Sequence, residues 1–323
     1  MRKSVALIVA AGLLAALAGC SSSSDSAAGC TPAATAGPAS NLISATADPK
    51  NAAGTFGTLP TMTVGTPLDT DTTQATTLIK GSGPALTAGG VVSLDFVLTD
   101  AQTGTVISQT NFDGKSYLIS PVSSTGLPGL EKALSCATEG SRIAIAISPA
   151  DGLGANDQAG IAATDSLAMI VDVRSAIPAR ANGSIQPAQA GFPSVALGPD
   201  GRPGITIPSG TVPTDAKTAV LKKGNGATIA DGDGVWVQYT AVSWTKKSVT
   251  DSTWANGAPV QVVASADASS AGASPQVPDL IGQTVGSQYI SIVPSTTTGS
   301  SSSDPTVYVV DVLGVTPVVS TSN

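Results

Sequence analysis

Gly89-Gly90-Val91-Val92-Ser93-Leu94-Asp95-Phe96 and Gly232-Asp233-Gly234-Val235-Trp236-Val237-Gln238-Tyr239 say nearly the same thing twice. In the first, Val92, Leu94, Phe96 and Leu98 alternate with Ser93, Asp95 and Val97, the period-2 signature of a half-buried strand. In the second, Val235, Val237, Tyr239 and Ala241 repeat that face. Lys80-Gly81-Ser82-Gly83 and Lys223-Gly224-Asn225-Gly226 are separated by the same offset of 143 (80 to 223, 89 to 232). Further along, Glu139-Gly140-Ser141-Arg142 is echoed by Val285-Gly286-Ser287-Gln288, and Val171-Asp172-Val173 by Val310-Asp311-Val312. Four echoes in one order, with an offset that drifts only as loop insertions would shift it, imply an internal duplication.

Other segments fit that frame. Arg142 to Ile147, Leu167 to Val173, Ser287 to Val293 and Thr306 to Val312 read as further strands. Leu127-Pro128-Gly129-Leu130-Glu131-Lys132-Ala133-Leu134 is helix-like, with Leu127, Leu130 and Leu134 on one face and Pro128 confined to the first turn. Val277-Pro278-Asp279-Leu280-Ile281-Gly282 is its shorter counterpart. Sheet plus one short helix per copy makes the expected class α+β. The expected division is a leader over 1–20, a flexible tether over 21–45, a first domain over 46–178, a linker over 179–190 and a second domain over 191–318. Pro178, Gly183, Pro187 and Gly191 punctuate the join.

The first residues carry an address. Arg2 and Lys3 precede an apolar run from Val5 to Ala18, too short to span a bilayer and the right length for a signal-peptide core. Leu17-Ala18-Gly19-Cys20 resembles the bacterial lipobox, which implies acylation of Cys20 and a place on the extracytoplasmic face of the cell membrane. Ser21 to Ser26 then suits a flexible tether. With Cys20 carrying lipid, Cys30 and Cys136 remain, and an oxidising exterior favours a disulfide between them over two buried thiols.

Composition narrows the chemistry. The chain has no histidine, which excludes histidine-based nucleophilic and acid–base catalysis and histidine-ligated metals. No metal or cofactor is expected. Acidic residues (22) outnumber basic ones (15), so there is no basic stripe for nucleic acid.

The ordered set of motifs resembles the FKBP-type peptidyl-prolyl isomerases. Their pattern runs through a G-x-G strand, a G-D-x-V-x-V-x-Y strand, an F-D-S-S motif, a short helix, a V-G-x-R strand and a closing L-V-F-x-V-D strand. The resemblance covers roughly 75–175 and 215–315, and implies a curved antiparallel sheet wrapped around a short helix, with an apolar pocket between them. In the second copy Tyr239 stands at the strand tyrosine, and Asp251-Ser252-Thr253-Trp254 resembles the D-S-S motif. Val277 and Leu280 stand near the pocket floor, and Tyr308 falls at the closing aromatic. The family's Y-G loop is replaced by the low-complexity run Ser295 to Ser303. In the first copy Phe96 replaces the tyrosine, Ile107-Ser108 stands at the acidic motif, and Leu127 and Leu130 enter the helix. Leu153-Gly154 replaces Tyr-Gly, and Met169 replaces the closing aromatic. The implied activity is proline cis–trans isomerisation of proline-containing exported polypeptides, with at least one copy degenerate.

Simpler readings stand beside these. Tyr239 fits a core residue with a satisfied hydroxyl, and Asp251 a turn cap. Trp254 fits a binding rim, and Trp236 either an exposed contact or an interdomain patch. The rival functions are a non-catalytic chaperone or peptide-binding module on the same scaffold, and a structural protein of β-sandwich repeats.

Overall fold

A computed structural model describes residues 30–46, 57–114, 117–156, 160–265, 277–294 and 304–317. The leader with Cys20 and the Ser295 to Ser303 run lie outside the described residues.

The first unit comprises β1 (Ile43–Ala45), β2 (Met62–Val64), β3 (Gln74–Ile79), β4 (Val91–Asp100), β5 (Val106–Gln109), β6 (Leu118–Pro121), α1 (Pro128–Leu134), β7 (Arg142–Ile147) and β8 (Leu167–Ile177). The second comprises β9 (Ser184–Ile185), β10 (Ser194–Leu197), β11 (Pro203–Thr206), β12 (Lys217–Lys223), β13 (Gly234–Ser243), β14 (Val249–Ser252), α2 (Thr253–Asn256), β15 (Val260–Val263), β16 (Gln288–Val293) and β17 (Thr306–Thr316). The first sheet runs β3-β7-β8-β4-β5 with β6 also on β4. The second runs β14-β13-β17-β16-β12-β9 with β15 also on β13. Without β9 the two orders are the same, and every pairing is antiparallel.

The alternation read from the sequence sets the inner face. Val92, Leu94 and Leu98 pack with Ile143, Ile145, Ile147 and Val171 and with Leu130 and Leu134 of α1. The intervening residues build a second layer that composition did not announce. Ala144, Ala146, Ala168 and Ile170 face outward, and the three small alanines let the β1–β2 hairpin settle on that face through Ile43, Met62 and Val64. In the second unit Val242, Ile290, Ile292 and Val309 are covered in the same way by Val195 and Ile205 of the β10–β11 hairpin. Each sheet is therefore covered on both faces, and β13 is buried at every position.

Local hydrogen bonds repeat as well. Gly81 N–H donates to Ser141 Oγ at 3.0 Å, and Gly224 N–H to Ser287 Oγ at 2.9 Å.

Two boundaries and one helix differ from the expectations. The stretch assigned to a flexible tether is ordered from Cys30. There Ala34, Ala39, Ser40 and Ile43 are buried, and the Gln74 side chain accepts the Ala39 and Ser40 N–H groups. A Ser/Ala/Gly/Pro composition reads as linker, yet small residues also pack well against an alanine-lined face. The stretch assigned to the linker is likewise held by the second unit: β9 pairs with β12, and Gly183 N–H donates to Gly286 O. The third is the missing helix of the second unit. Val277 to Gly282 forms turns, with Asp279 at φ 58° and Gly282 at φ 83°. Its four-residue α2 lies elsewhere, after β14. In α1, by contrast, Pro128 occupies the first turn after the extended Leu127, and Gly129 allows close approach to Ile147.

Cys30 and Cys136 are joined, with their Cα atoms 5.8 Å apart at a sequence separation of 106. The bridge fastens the N-terminal segment to the end of α1. Constraining so long a loop in the unfolded chain is worth about 2–4 kcal/mol. Cys136→Ser is expected to lower the denaturant midpoint of the first unit accordingly, and reductant should do the same to the parent chain but not to the variant.

The units meet through Val91, Ile177 and Ile119 of the first and Trp236 and Leu313 of the second. Trp236, 6% exposed, is thus an interdomain residue, and its indole N–H donates to Thr316 Oγ1 at 2.8 Å.

Candidate functional site

In the second unit the strand period turns Tyr239 to the inner face beside Val237 and Ala241. Antiparallel register sets Tyr239 opposite Val310 and Ala241 opposite Tyr308, so Tyr308 lies diagonal to Tyr239 on the same face. Their ring centroids are 6.4 Å apart at 45°. Asp251 reaches the pair from β14, opposite Ala241, where a register shift re-aims the strand. The Tyr239 hydroxyl donates to Asp251 Oδ2. Burial, then the Asp251 hydrogen bond, push the Tyr239 phenol above its ordinary range, so it stays a neutral donor. Burial and Asp251 push Tyr308 the same way.

The floor is a turn rather than a helix, and polar side chains hold it. Tyr289, fully buried, donates to Pro278 O at 2.5 Å. Thr218 Oγ1 and Ser291 Oγ donate to Asp279 Oδ2 at 2.5 and 2.6 Å. These bonds place buried Leu280 and half-buried Val277 in the same apolar cluster as Tyr239, Tyr308 and Val260. All five second-copy residues singled out from the sequence thus converge, four in the apolar cluster and Asp251 at its rim.

Sequence reasoning missed how much Thr253 does. Its Oγ1 accepts the Tyr239 N–H at 2.9 Å and donates to Gln238 Oε1 at 2.5 Å, which fixes the tyrosine from behind. The repeat carried the signal: Thr110 Oγ1 accepts the Phe96 N–H at 3.1 Å in the first unit. Trp254 is not a rim residue. It is 8% exposed, beneath Gly201 at the tip of the β10–β11 hairpin, and its carbonyl accepts from Arg202 at 2.6 Å.

The first unit keeps this scaffold without its polar groups. Phe96, Leu127, Leu130 and Met169 share one apolar cluster with Ile107, and Ser108 lies opposite Leu98 where Asp251 lies opposite Ala241. Leu153 does not join them, and is 40% exposed on the β7–β8 loop. The nearby Asp151 is held by Lys132 Nζ at 2.7 Å and Thr73 Oγ1 at 2.7 Å. Those contacts, Lys132 first, lower its carboxyl below the ordinary range. A cleft of about 350 Å³ also opens in the first unit, but between β2 and β4–β5 on the outer face, lined by Met62, Val64, Val97 and Val106. It is therefore separate from the inner-face cluster.

No family model matches the chain, and no curated protein does. Among solved structures it is similar to the three FKBP domains of wheat FKBP73, with 15% identity over 76% of this chain and 94% of that one and a TM-score of 0.34. It is similar to a peptidyl-prolyl cis-trans isomerase from Pseudomonas syringae, with 20% identity over 32% of this chain and 74% of that one and a TM-score of 0.29. FkpA from Escherichia coli matches 33% of this chain and 49% of its own length, at 19% identity and a TM-score of 0.29. The solved structures matched are FKBP-type proteins, including one with several FKBP domains.

Proposed function

We propose that the chain is a peptidyl-prolyl cis-trans isomerase whose second unit does the work and whose first unit binds without accelerating. The observation that carries this reading is the Tyr239–Asp251 hydrogen bond beside Tyr308 over an aliphatic floor. The reaction needs no nucleophile, base or metal. Its barrier of ~18–20 kcal/mol is the double-bond character of the amide. A dry apolar recess that holds the twisted, less conjugated amide better than either planar form lowers that barrier by differential binding. Tyr308, Val277 and Leu280 supply the apolar walls for a proline ring. Asp251 fixes the Tyr239 ring through its hydroxyl and places a carboxylate at the rim. Phe96 and Ser108 leave the first unit with apolar walls alone, which favours a peptide-binding role there. The substrates would be proline-containing exported polypeptides, met at the extracytoplasmic membrane surface to which a lipid on Cys20 would hold the protein.

The test is a proline-isomerisation assay on the chain lacking residues 1 to 20, with peptides varied before the proline. Acceleration is expected, and Tyr239→Phe or Asp251→Asn should lower kcat/KM by up to about tenfold, the worth of one hydrogen bond of about 1.4 kcal/mol. Phe96→Leu should leave it unchanged. Peptide binding by a folded chain with no acceleration would instead establish a binding module. Loss of membrane association in Cys20→Ala tests the anchor.

A further inference from the structure

The two copies treat one buried carboxylate differently. In the first unit Asp172 is fully buried and paired with Arg142, Nε and Nη2 each donating at 2.7 Å. In the second unit Asp311 is 1% exposed, and Gln288 stands where the arginine stood, donating Nε2–H at 2.6 Å. The second carboxylate has lost its guanidinium. It holds a contact with the segment that joins the units: Ala181 N–H donates to Asp311 Oδ2 at 2.8 Å. The carbonyl of the same residue accepts from Lys222 Nζ at 3.1 Å. Ala181, 2% exposed, is thus gripped at both ends of its backbone by side chains of β17 and β12. Two residues along β17 from Asp311, Leu313 enters the apolar contact with Ile177 of the first unit.

The groups facing Asp311 are few. β16 gives neutral Gln288, β13 gives neutral Gln238 in register, β12 gives Lys222, and the joining segment gives Arg180. Arg180 is turned toward the hairpin, donating to Pro199 O at 3.0 Å. Burial raises the Asp311 carboxyl above its ordinary range, outweighing the Ala181 and Gln288 hydrogen bonds and the two cations.

We propose that Asp311, Ala181 and Lys222 form a proton-sensitive clamp that holds the joining segment on the second unit and grips it more tightly when Asp311 takes up a proton. The sign follows from linkage. Opening the clamp returns the carboxyl to water and to its lower, ordinary affinity for protons. The closed form therefore binds the proton better and gains weight as pH falls. As pH rises through the closed-state pKa, the buried negative charge, without the guanidinium its counterpart has, weakens the closed form. The proposal is independent of the isomerase reading.

Exchange of the Ala181 amide, followed by NMR on the chain lacking residues 1 to 20 and corrected for intrinsic pH dependence, tests it. From about pH 8 down to the ordinary carboxylate value of about 3.9, protection in the parent is expected to rise as pH falls, by up to about tenfold per unit where Asp311 titrates. Asp311→Asn should abolish that slope. Gln288→Arg should also flatten it and raise protection at the alkaline end, by restoring the pair seen in the first unit. Protection that is level with pH in the parent, that falls toward acid, or that keeps its slope in Asp311→Asn overturns the proposal. Should Gln288→Arg not fold, the slopes of the parent and Asp311→Asn decide it alone.

Discussion

Arg142→Ala is expected to cost the first unit about 3–5 kcal/mol while leaving the second unit's own transition in place. The guanidinium is 1% exposed, satisfies both oxygens of fully buried Asp172, and donates Nη1–H to Thr46 O at 2.8 Å. Removing it takes the paired cation from a buried carboxylate that faces buried Asp95 across the sheet, Asp95 being itself paired with Arg174 at 2.6 Å. An uncompensated buried charge is the costly outcome, far more than the net worth of the intact pair. The double replacement Arg142→Met with Asp172→Leu should therefore cost less than Arg142→Ala alone. A Trp236→Phe background lets the readout separate the units without cutting the chain, because Trp236 packs on the first unit whereas Trp244 and Trp254 pack within the second. Far-ultraviolet dichroism during denaturation should gain an early phase that tryptophan fluorescence lacks. A single transition shared by both probes, or a cost below about 1 kcal/mol, would contradict this account of the pair.

Gly224→Ala is expected to destabilise the second unit by about 4 kcal/mol or more, among the largest single-residue effects. A Cβ there would stand 2.2 Å from Val285 O and 2.6 Å from Ser287 N, both backbone atoms that cannot step aside. The same contact recurs at Gly81, 2.2 Å from Glu139 O. The control is Gly232→Ala. Its φ is +86° with nothing within 4 Å, so that change carries only the left-handed penalty of about 1–2 kcal/mol. Fluorescence-monitored denaturation of the two variants should differ by at least about 2 kcal/mol. Equal midpoints would show that the β12–β16 approach is softer than the distances imply.

What was legible in the chain was whatever a short period or a repeated motif encodes. Val92, Leu94 and Leu98 announced an inner face, and the 143-residue offset announced two units before any contact was known. The convergence of Tyr239, Asp251 and Tyr308 came through motif order, since their contact depends on diagonal register and on a bulge that no local pattern reveals. The outer layer was illegible for a different reason. Ile43 to Ala45 and Ser194 to Leu197 are three- and four-residue strands in chain rich in small and turn-forming residues, and only the apolar outer sheet faces, alanine-lined in the first unit and Val/Ile-lined in the second, give them a place to pack. The second helix was misread because Val277, Leu280 and Ile281 have helical spacing. Tertiary bonds from Tyr289, Thr218 and Ser291 favour a turn that Asp279 completes with a positive φ. Trp254 read as exposed because the hairpin over it lies some fifty residues upstream.

The Cys30–Cys136 bridge also decides how the protein carries load. Tension applied upstream of Cys30 passes through the sulfurs directly to the end of α1, so the residues between the two cysteines sit outside the force path while the bond is intact. The β1–β2 hairpin and β3 to β6 are then shielded from a pull on the N-terminal segment, and traction falls instead on the α1–β7 connection and the strands beyond it. Reduction would put that slack, more than a hundred residues at roughly 3.5 Å each, back into series with the pull. Were the chain pulled from its N-terminal end, oxidation state would thus set how far the second unit can be drawn from the point of traction.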